Sequence, residues 1–185
     1  YSVSEWDGGV TIADRLRMGE GLPVEEFLPN ASGLCLALAR FHDAGGVHGA
    51  IDTAAVHFSA AHPAKLGAFG RAKRWTDPQH DTMALSEVLR AAITGTDDAT
   101  VFPSEVIDGI PHGVDTTLRG GIAGSLDART LATQLSSVSY DAPAEHKPPK
   151  PWRTLAIFGL IVCLISLIGA IGLAADFDPD SPFLY

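Results

Sequence analysis

The feature that most constrains this chain is an uninterrupted apolar run close to its C-terminus. Residues 155–175 form a stretch of 21 residues without a charged side chain. At about 1.5 Å per helical residue, the run would span about 30 Å, which is the hydrocarbon thickness of a bilayer. A buried core helix of this length usually carries a polar stripe, which makes it the weaker interpretation. The run therefore predicts one transmembrane helix in contact with membrane lipid.

The charges on the two sides of this run indicate its orientation. Residues 136–154 contain three Lys and Arg residues, and residues 176–185 contain three Asp residues and no Lys or Arg. The positive-inside tendency then places residues 1–154 in the cytoplasm, the span in the plasma membrane, and the C-terminal tail outside. The pattern breaks off at residue 185, so we interpret the tail as truncated.

A proline-rich linker is expected just before the span. Four prolines lie within residues 141–151, where they oppose a helix and favour an extended spacer. We therefore expect a domain over residues 1–135, a Pro-rich juxtamembrane linker over 136–154, and the span and tail after it.

Composition excludes several classes of function. The formal net charge is −9, which argues against nucleic-acid binding because that usually needs a basic face. The two cysteines, Cys35 and Cys163, provide neither a disulfide framework nor a metal cluster. The seven histidines show no metal-ligand spacing, and no phosphate-binding glycine loop is present. We therefore expect no metal and no cofactor.

The longest helical pattern covers residues 24–42. Its apolar residues recur at intervals of four, three, four and three, which gives a helix one apolar face. Pro29 is expected to kink this helix or to lie in its first turn. The apolar face consists of Phe27, Ala31, Leu34, Leu38 and Phe41.

The remaining patterns predict a mainly α fold with a short β-hairpin. Strand-like stretches at 56–59 and 65–69 lie around a His62-Pro63 turn. Further helices are expected over residues 14–18, 81–94, 114–123 and 126–135.

The order of these elements resembles the C-terminal lobe of a protein kinase. Residues 1–9 resemble the last strand of the N-lobe and the hinge, and residues 41–56 resemble the long helix running into the catalytic loop. Residues 65–70, which end in Ala-Phe-Gly, resemble the strand that carries the metal-binding D-F-G motif. Residues 81–95 resemble the central buried helix. The resemblance covers residues 1 to about 135 and implies that fold.

The polar side chains that a kinase uses for phosphoryl transfer are absent at the matching positions of this sequence. On the pattern H-R-D-L-K-P-x-N, Ala50 occupies the position of the catalytic base, and Ala55 that of the metal-binding Asn. Ala68 replaces the metal-binding Asp of D-F-G. A methyl group neither accepts a proton nor ligates a hard cation, so we expect no enzyme activity. These three alanines are degenerate positions rather than catalytic residues.

Two polar residues of the motif are retained, and we interpret both as structural. The resemblance implies that Asp81 begins the buried helix and accepts hydrogen bonds from the catalytic-loop backbone. His48 is expected to hold that backbone rather than act as a general base. Arg129 occupies a position that pairs with a Glu in kinases; that Glu is absent here, so we expect Arg129 at the surface or with another partner.

The chain is most similar to the intracellular pseudokinase of actinobacterial lipid II flippase-type membrane proteins. This resemblance implies transporter helices in the same polypeptide and a regulatory role in peptidoglycan synthesis. It also implies an upstream Ser/Thr kinase and a partner with a forkhead-associated domain that binds phosphothreonine. Thr130 and Thr133 are the candidate phosphorylation sites, within a group of hydroxyl residues that also includes Ser136, Ser137 and Ser139.

Two alternative interpretations assign the chain to other functional classes. The chain could be the C-lobe fragment of a membrane receptor Ser/Thr kinase, which would require Asp at positions 50 and 68. It could also be a degenerate anchor that tethers a complex without a regulated partner.

The orientation can be tested by labelling. We expect a cysteine substituted for Ser181 in the tail to react with a membrane-impermeant thiol reagent on intact cells, because the tail is expected outside. Protection of that cysteine on intact cells, with labelling only after lysis, would invert the orientation.

Overall fold

Helices dominate the part of the chain that the structure describes, and a small sheet accompanies them. The structure is a computed structural model, and it describes residues 9–59, 62–68 and 77–140. The sheet has three strands, all antiparallel to their neighbours. The expectation of a mainly α fold with a β-hairpin is therefore confirmed.

The elements follow one another along the chain in the order β1, α1, α2, β2, β3 and α3 to α6. The strands of the described chain are β1 (Val10–Thr11), β2 (Val56–Ser59) and β3 (His62–Leu66). Its helices are α1 (Ile12–Met18), α2 (Val24–Asp43), α3 (Pro78–Thr94), α4 (Pro103–Val106), α5 (His112–Ile122) and α6 (Ala128–Ser137).

Helix α2 presents most of its predicted apolar face to the core. Phe27, Ala31, Leu34 and Leu38 are buried, whereas Phe41 near the C-terminus is 36% exposed. Pro29 lies inside the helix rather than in its first turn, because the helix begins at Val24.

The hairpin forms as expected, but the prediction of a turn at His62-Pro63 is wrong. Val56 pairs with Leu66 and His57 with Lys65, and β3 begins at His62 instead of Lys65. Pro63 therefore lies within a strand and not in a turn. The sheet order β1-β2-β3 explains why, since β3 lies at the sheet edge, where a residue without an N–H group is tolerated.

The start of α3 also differs from the prediction. The helix begins at Pro78, and the side chain of Asp77 caps it by accepting the His80 amide at 2.7 Å. Asp81 therefore does not begin the helix, although it lies in the first turn. Asp at the N-cap followed by Pro at the first helical position is a favoured helix start. The helix therefore begins at Pro78, before the first residue of the range predicted from the apolar pattern.

Helices α5 and α6 also begin at residues other than the predicted ones, which were 114 and 126. Helix α5 begins at His112, and α6 begins at Ala128 after the capping residue Asp127, so Leu126 precedes the helix. The short helix α4 was not predicted, because four residues are too few for a periodic pattern.

The core lies where α2, α3, α5 and α6 pack together. Full burial of one large aliphatic or aromatic side chain contributes about 1.5–3 kcal/mol, so this cluster dominates the stability. Fully buried members, each at no more than 1% exposure, are Phe27, Leu38, Leu85, Leu89, Leu118, Leu131 and Leu135.

The backbone before α2 passes very close to the end of α3. A Cβ atom on Gly21 would lie 2.5 Å from the carbonyl oxygen of Ile93, so a larger residue there would force the two segments apart. Gly95 ends α3 with φ +70°, a conformation that glycine adopts at little cost.

The packed chain continues beyond the predicted domain boundary at residue 135. Helix α6 extends to Ser137, and Val138 and Tyr140 pack against the core. All the described residues belong to one compact unit, whose boundary lies at residue 143.

The predicted membrane segment falls outside the described residues. Among the helices that the structure describes, none combines the length and the apolar character needed to cross a bilayer. The span at 155–175, the tail at 176–185 and most of the linker are not among the described residues, and neither are residues 1–8, predicted as strand and hinge.

We predict that the cap of α6 contributes pH-dependent stability. Backbone and side-chain hydrogen bonds from Thr130 hold the pKa of the Asp127 carboxyl below its ordinary value of 3.8. Asp127→Ala should lower the free energy of unfolding by about 0.5–2 kcal/mol at neutral pH, measured by urea unfolding.

The pH dependence has a defined sign. A carboxyl whose pKa is lower in the folded than in the unfolded state stabilises the fold above the unfolded pKa, and the effect disappears as pH falls through the folded pKa. The deficit of Asp127→Ala should therefore shrink below about pH 4. Asp127→Asn, which keeps the capping oxygen, is the matched control. A deficit unchanged by acid would contradict this account.

Candidate functional site

The loop between α2 and β2 is held by one buried carboxylate. Asp81, in the first turn of α3, is 1% exposed. Its Oδ2 atom accepts the His48 amide at 2.6 Å, and its Oδ1 atom accepts the Gly49 amide at 2.7 Å. Each carboxylate oxygen thus receives a different backbone N–H group, which orients two consecutive peptide units of the loop.

A third donor reaches the same carboxylate from the last turn of α2. Nε2 of His42 lies 3.1 Å from Oδ2 of Asp81 and donates to it, since a carboxylate oxygen can only accept. A buried carboxylate without such partners would be strongly destabilising. Asp81 therefore joins α2, the following loop and α3 at a single point.

His48 is buried and uses both ring nitrogens. Its Nε2 atom lies 2.8 Å from the carbonyl oxygen of Gly67 and must donate to it. Its Nδ1 atom then accepts, and the Ala50 amide lies 3.4 Å away. These partners assign the neutral tautomer with hydrogen on Nε2. Both nitrogens are engaged with the backbone, which fits the role of a backbone clamp better than that of a general base.

Gly67 brings two distant segments of the chain together. Its carbonyl accepts from His48, and its amide donates to the carbonyl of Ala55 at 2.7 Å. The segment that ends in Ala68 is therefore fixed against the loop that contains Ala50 and Ala55. The alanines at positions 50, 55 and 68 belong to one local assembly, although they are spread over 19 positions of the sequence.

The side chains at these three positions offer little chemistry. Ala55 is completely buried, and Ala50 and Ala68 are partly exposed. Ala68 has φ +61°, a left-handed conformation that costs a non-glycine residue about 1–3 kcal/mol. A methyl group there cannot bind a cation or receive a proton.

The nearest carboxylate in the loop sequence is that of Asp52. It is exposed, and its Oδ1 atom accepts the Ala54 amide at 3.0 Å within a turn. Among the described residues, no group of three or more His, Cys, Asp or Glu side chains is arranged to hold a metal ion.

Arg129 and the two candidate threonines lie on α6, outside this loop. Arg129 pairs with Asp43 at the end of α2, and both side chains are exposed. Thr130 and Thr133 are exposed as well, and the hydroxyl of Thr133 donates to the Arg129 carbonyl at 2.9 Å.

Sequence reasoning missed two residues of the assembly. His42 was not linked to Asp81, because 38 residues separate them and only packing brings them together. Gly67 acts through its backbone, which leaves no signal in the side-chain pattern. Comparison of the chain with models of known protein families and with curated protein sequences gives no match.

We predict that Asp81 cannot be replaced by its neutral isostere without loss of stability. Asp81→Asn leaves one carbonyl oxygen for three donors and turns an NH₂ group toward a backbone N–H. A donor left unpaired costs about 1–3 kcal/mol, so urea unfolding should show a loss in that range and a larger loss for Asp81→Ala.

Asp77→Asn is the matched control on the same helix. Asp77 is an exposed N-cap, and Asn is an equally good cap, so this change should be close to neutral. Equal effects of the two Asn substitutions would contradict the stabilising role assigned to the three hydrogen bonds that Asp81 accepts.

Proposed function

We propose that residues 1 to about 135 form the C-terminal lobe of a protein-kinase-like domain that does not catalyse phosphoryl transfer. The observation that carries the proposal is the fixation of the 48–55 loop by Asp81, with alanine at each position where the reaction needs a polar group. The loop is ordered as a catalytic loop would need to be, and the side chains for catalysis are missing.

The chemistry of phosphoryl transfer explains why these absences matter together. The reaction depends on positioning the two reactants and on neutralising negative charge with bound magnesium. Ala50 removes the acceptor of the hydroxyl proton, and Ala55 and Ala68 remove two metal ligands. Loss of the base alone would slow the reaction, whereas loss of both metal ligands also weakens nucleotide binding.

The hydrogen bonds of the loop support a scaffold role. The partners of Asp81 and His48 described above all come from the chain itself, so the loop needs no nucleotide or metal to hold its shape. A domain held in this way can present a constant surface to a partner protein. Function then depends on surface groups rather than on a catalytic centre.

Regulation by phosphorylation is the form of scaffold function that we favour. A phosphate adds a charge of about −1.5 to −2 and strong acceptor oxygens, which create a docking site for an Arg-lined reader. By the family resemblance, an upstream Ser/Thr kinase supplies the phosphate, and a forkhead-associated domain binds it. The setting is peptidoglycan synthesis at the plasma membrane, with residues 155–175 as the span and transporter helices in the same polypeptide.

The proposal predicts neither phosphoryl transfer nor magnesium-dependent nucleotide binding. The purified full-length chain in detergent, incubated with radiolabelled ATP and magnesium, should label neither itself nor a generic protein substrate, because no side chain at positions 50, 55 or 68 can serve the reaction. ATP with magnesium should leave its Tm unchanged. An active Ser/Thr kinase is the positive control.

The binding function is measured separately. After treatment with a Ser/Thr kinase and ATP, the chain should bind a purified forkhead-associated domain, and phosphatase treatment should abolish the complex. Transfer of phosphate by the chain itself would overturn the proposal in favour of a receptor kinase. Binding that ignores phosphatase would overturn the phosphorylation-dependent role and favour a passive anchor.

A further inference from the structure

An open groove lies on the surface where the N-terminus of α2 meets the C-terminus of α3. Its volume is about 440 Å³, which falls within the range of sites that hold a ligand. Three side chains, each no more than 4% exposed, form a buried apolar floor: Leu22, Val24 and Ile93. The apolar surface continues onto three lining residues that solvent reaches: Val106, Ile107 and Tyr140.

The walls of this groove are held in place by the chain itself. The amide of Leu22 donates to the carbonyl oxygen of Ala92 at 2.8 Å, and the amide of Ile107 donates to that of Pro103 at 2.9 Å. Tyr140 packs against the core, whereas Val106 is 52% exposed. A groove that is already formed loses little conformational entropy when a ligand binds.

The charged residues around the groove all have the same sign. Those that line it, or that adjoin a lining residue in the sequence, are Glu20, Glu25, Glu26, Glu105, Asp108 and Asp141. Glu26 lies 3.9 Å from Arg15, and Glu105 lies 3.8 Å from Arg119. The side chains of Glu20, Glu25 and Asp108 are exposed and form no ion pair with another described residue.

The end of α3 adds to the negative potential. The C-terminus of a helix carries partial negative charge and favours a nearby cation. Ile93 and Thr94 line the groove, and no basic residue lies in the last turn of α3. Arg90, one turn before Thr94, is engaged with the carbonyl oxygens of residues 97, 98 and 101. The N-terminus of α2 carries the opposite partial charge, which Glu25 and Glu26 in its first turn offset.

We propose that this groove docks a segment of a partner protein in which Lys or Arg residues flank large apolar side chains. The apolar side chains pack on the floor and against Val106, and the cations lie beside the exposed carboxylates. The proposal goes beyond the function proposed above, because it depends neither on phosphate on this chain nor on the kinase resemblance.

The positions of the carboxylates favour a peptide over smaller or anionic ligands. Glu20 precedes α2, Glu25 lies in its first turn, and Asp108 follows α4, so several cations spaced along a chain are needed to reach them. Among the described residues, no group of three or more His, Cys, Asp or Glu side chains converges to hold a metal ion. A nucleic acid or an anionic lipid headgroup would meet charges of its own sign.

The proposal is tested by peptide selection on the unphosphorylated full chain in phosphatidylcholine nanodiscs. Detergent could fill an apolar groove, and anionic lipid would itself bind basic peptides. A random dodecapeptide phage library is selected at low ionic strength, after removal of phage that bind empty nanodiscs. We expect the enriched peptides to carry Lys or Arg on both sides of Leu, Ile, Phe or Trp. Added salt should weaken their binding, because exposed charges are screened.

Matched charge variants locate the peptide on the chain. Glu20→Gln combined with Asp108→Asn removes two exposed charges beside the groove. The control, Asp43→Asn combined with Asp52→Asn, removes two exposed charges elsewhere, and Asp43 lies about 30 Å along α2 from the groove. Fluorescence anisotropy of a labelled enriched peptide should show binding weakened about 2- to 30-fold by the first pair, and unchanged by the control.

A second variant tests the apolar wall independently of charge. Val106→Thr keeps the shape of the side chain and introduces a hydroxyl, so it should also weaken the peptide. Val10→Thr, which alters another exposed valine, should not. Circular dichroism of each variant shows whether the fold is kept.

Several results would overturn the proposal. They are enrichment of peptides without an excess of Lys and Arg, equal weakening by the two charge pairs, and full binding to Val106→Thr. Failure to enrich any peptide, while a known peptide-binding domain succeeds in parallel, would overturn it as well. Self-association of the chain that the groove pair abolishes would assign the groove to a second copy instead. None of these measurements involves phosphorylation, so the proposed function stands or fails separately.

Discussion

The buried carboxylate of Asp81 is the interaction on which the rest of this structure depends. It receives hydrogen bonds from His42 at the end of α2 and from two consecutive amides of the following loop. Because it lies on α3, the central helix determines where the loop lies relative to α2. A charged acceptor suits this position, since two oxygens with several lone pairs can serve three donors that one carbonyl could not.

The order imposed by Asp81 extends to the hairpin through His48. That side chain bonds the carbonyl of Gly67, and Gly67 in turn bonds Ala55, so the loop and the end of β3 form one assembly. In an active phosphotransferase such an assembly would position charged groups around magnesium and the acceptor hydroxyl. The three positions of this assembly that we propose to correspond to the catalytic base and the metal ligands carry alanine. A loop held in a fixed shape without reactive side chains is the basis on which we propose a binding module.

The C-terminal edge of the domain has a different physical character. Helix α6 bonds the hydroxyls of Thr133, Ser136 and Ser137 to its own carbonyl groups and buries its leucines against the core. The chain becomes extended only after Ser137, and Val138 and Tyr140 then hold it against the core. The predicted membrane attachment lies only a short distance further along the chain.

The sequence by itself determined the elements with strong periodicity. The apolar spacing of α2 gave its bounds to within one residue, because a long amphipathic helix has many positions that agree. The side chains of the alanines at positions 50, 55 and 68 cannot ligate a metal ion in any fold, since a methyl group has no lone pair. Only the tertiary structure decided the contacts of His42 and Gly67 and the place of Pro63 in a strand. These depend on backbone groups and on residues distant in sequence, and side-chain periodicity carries no information about either.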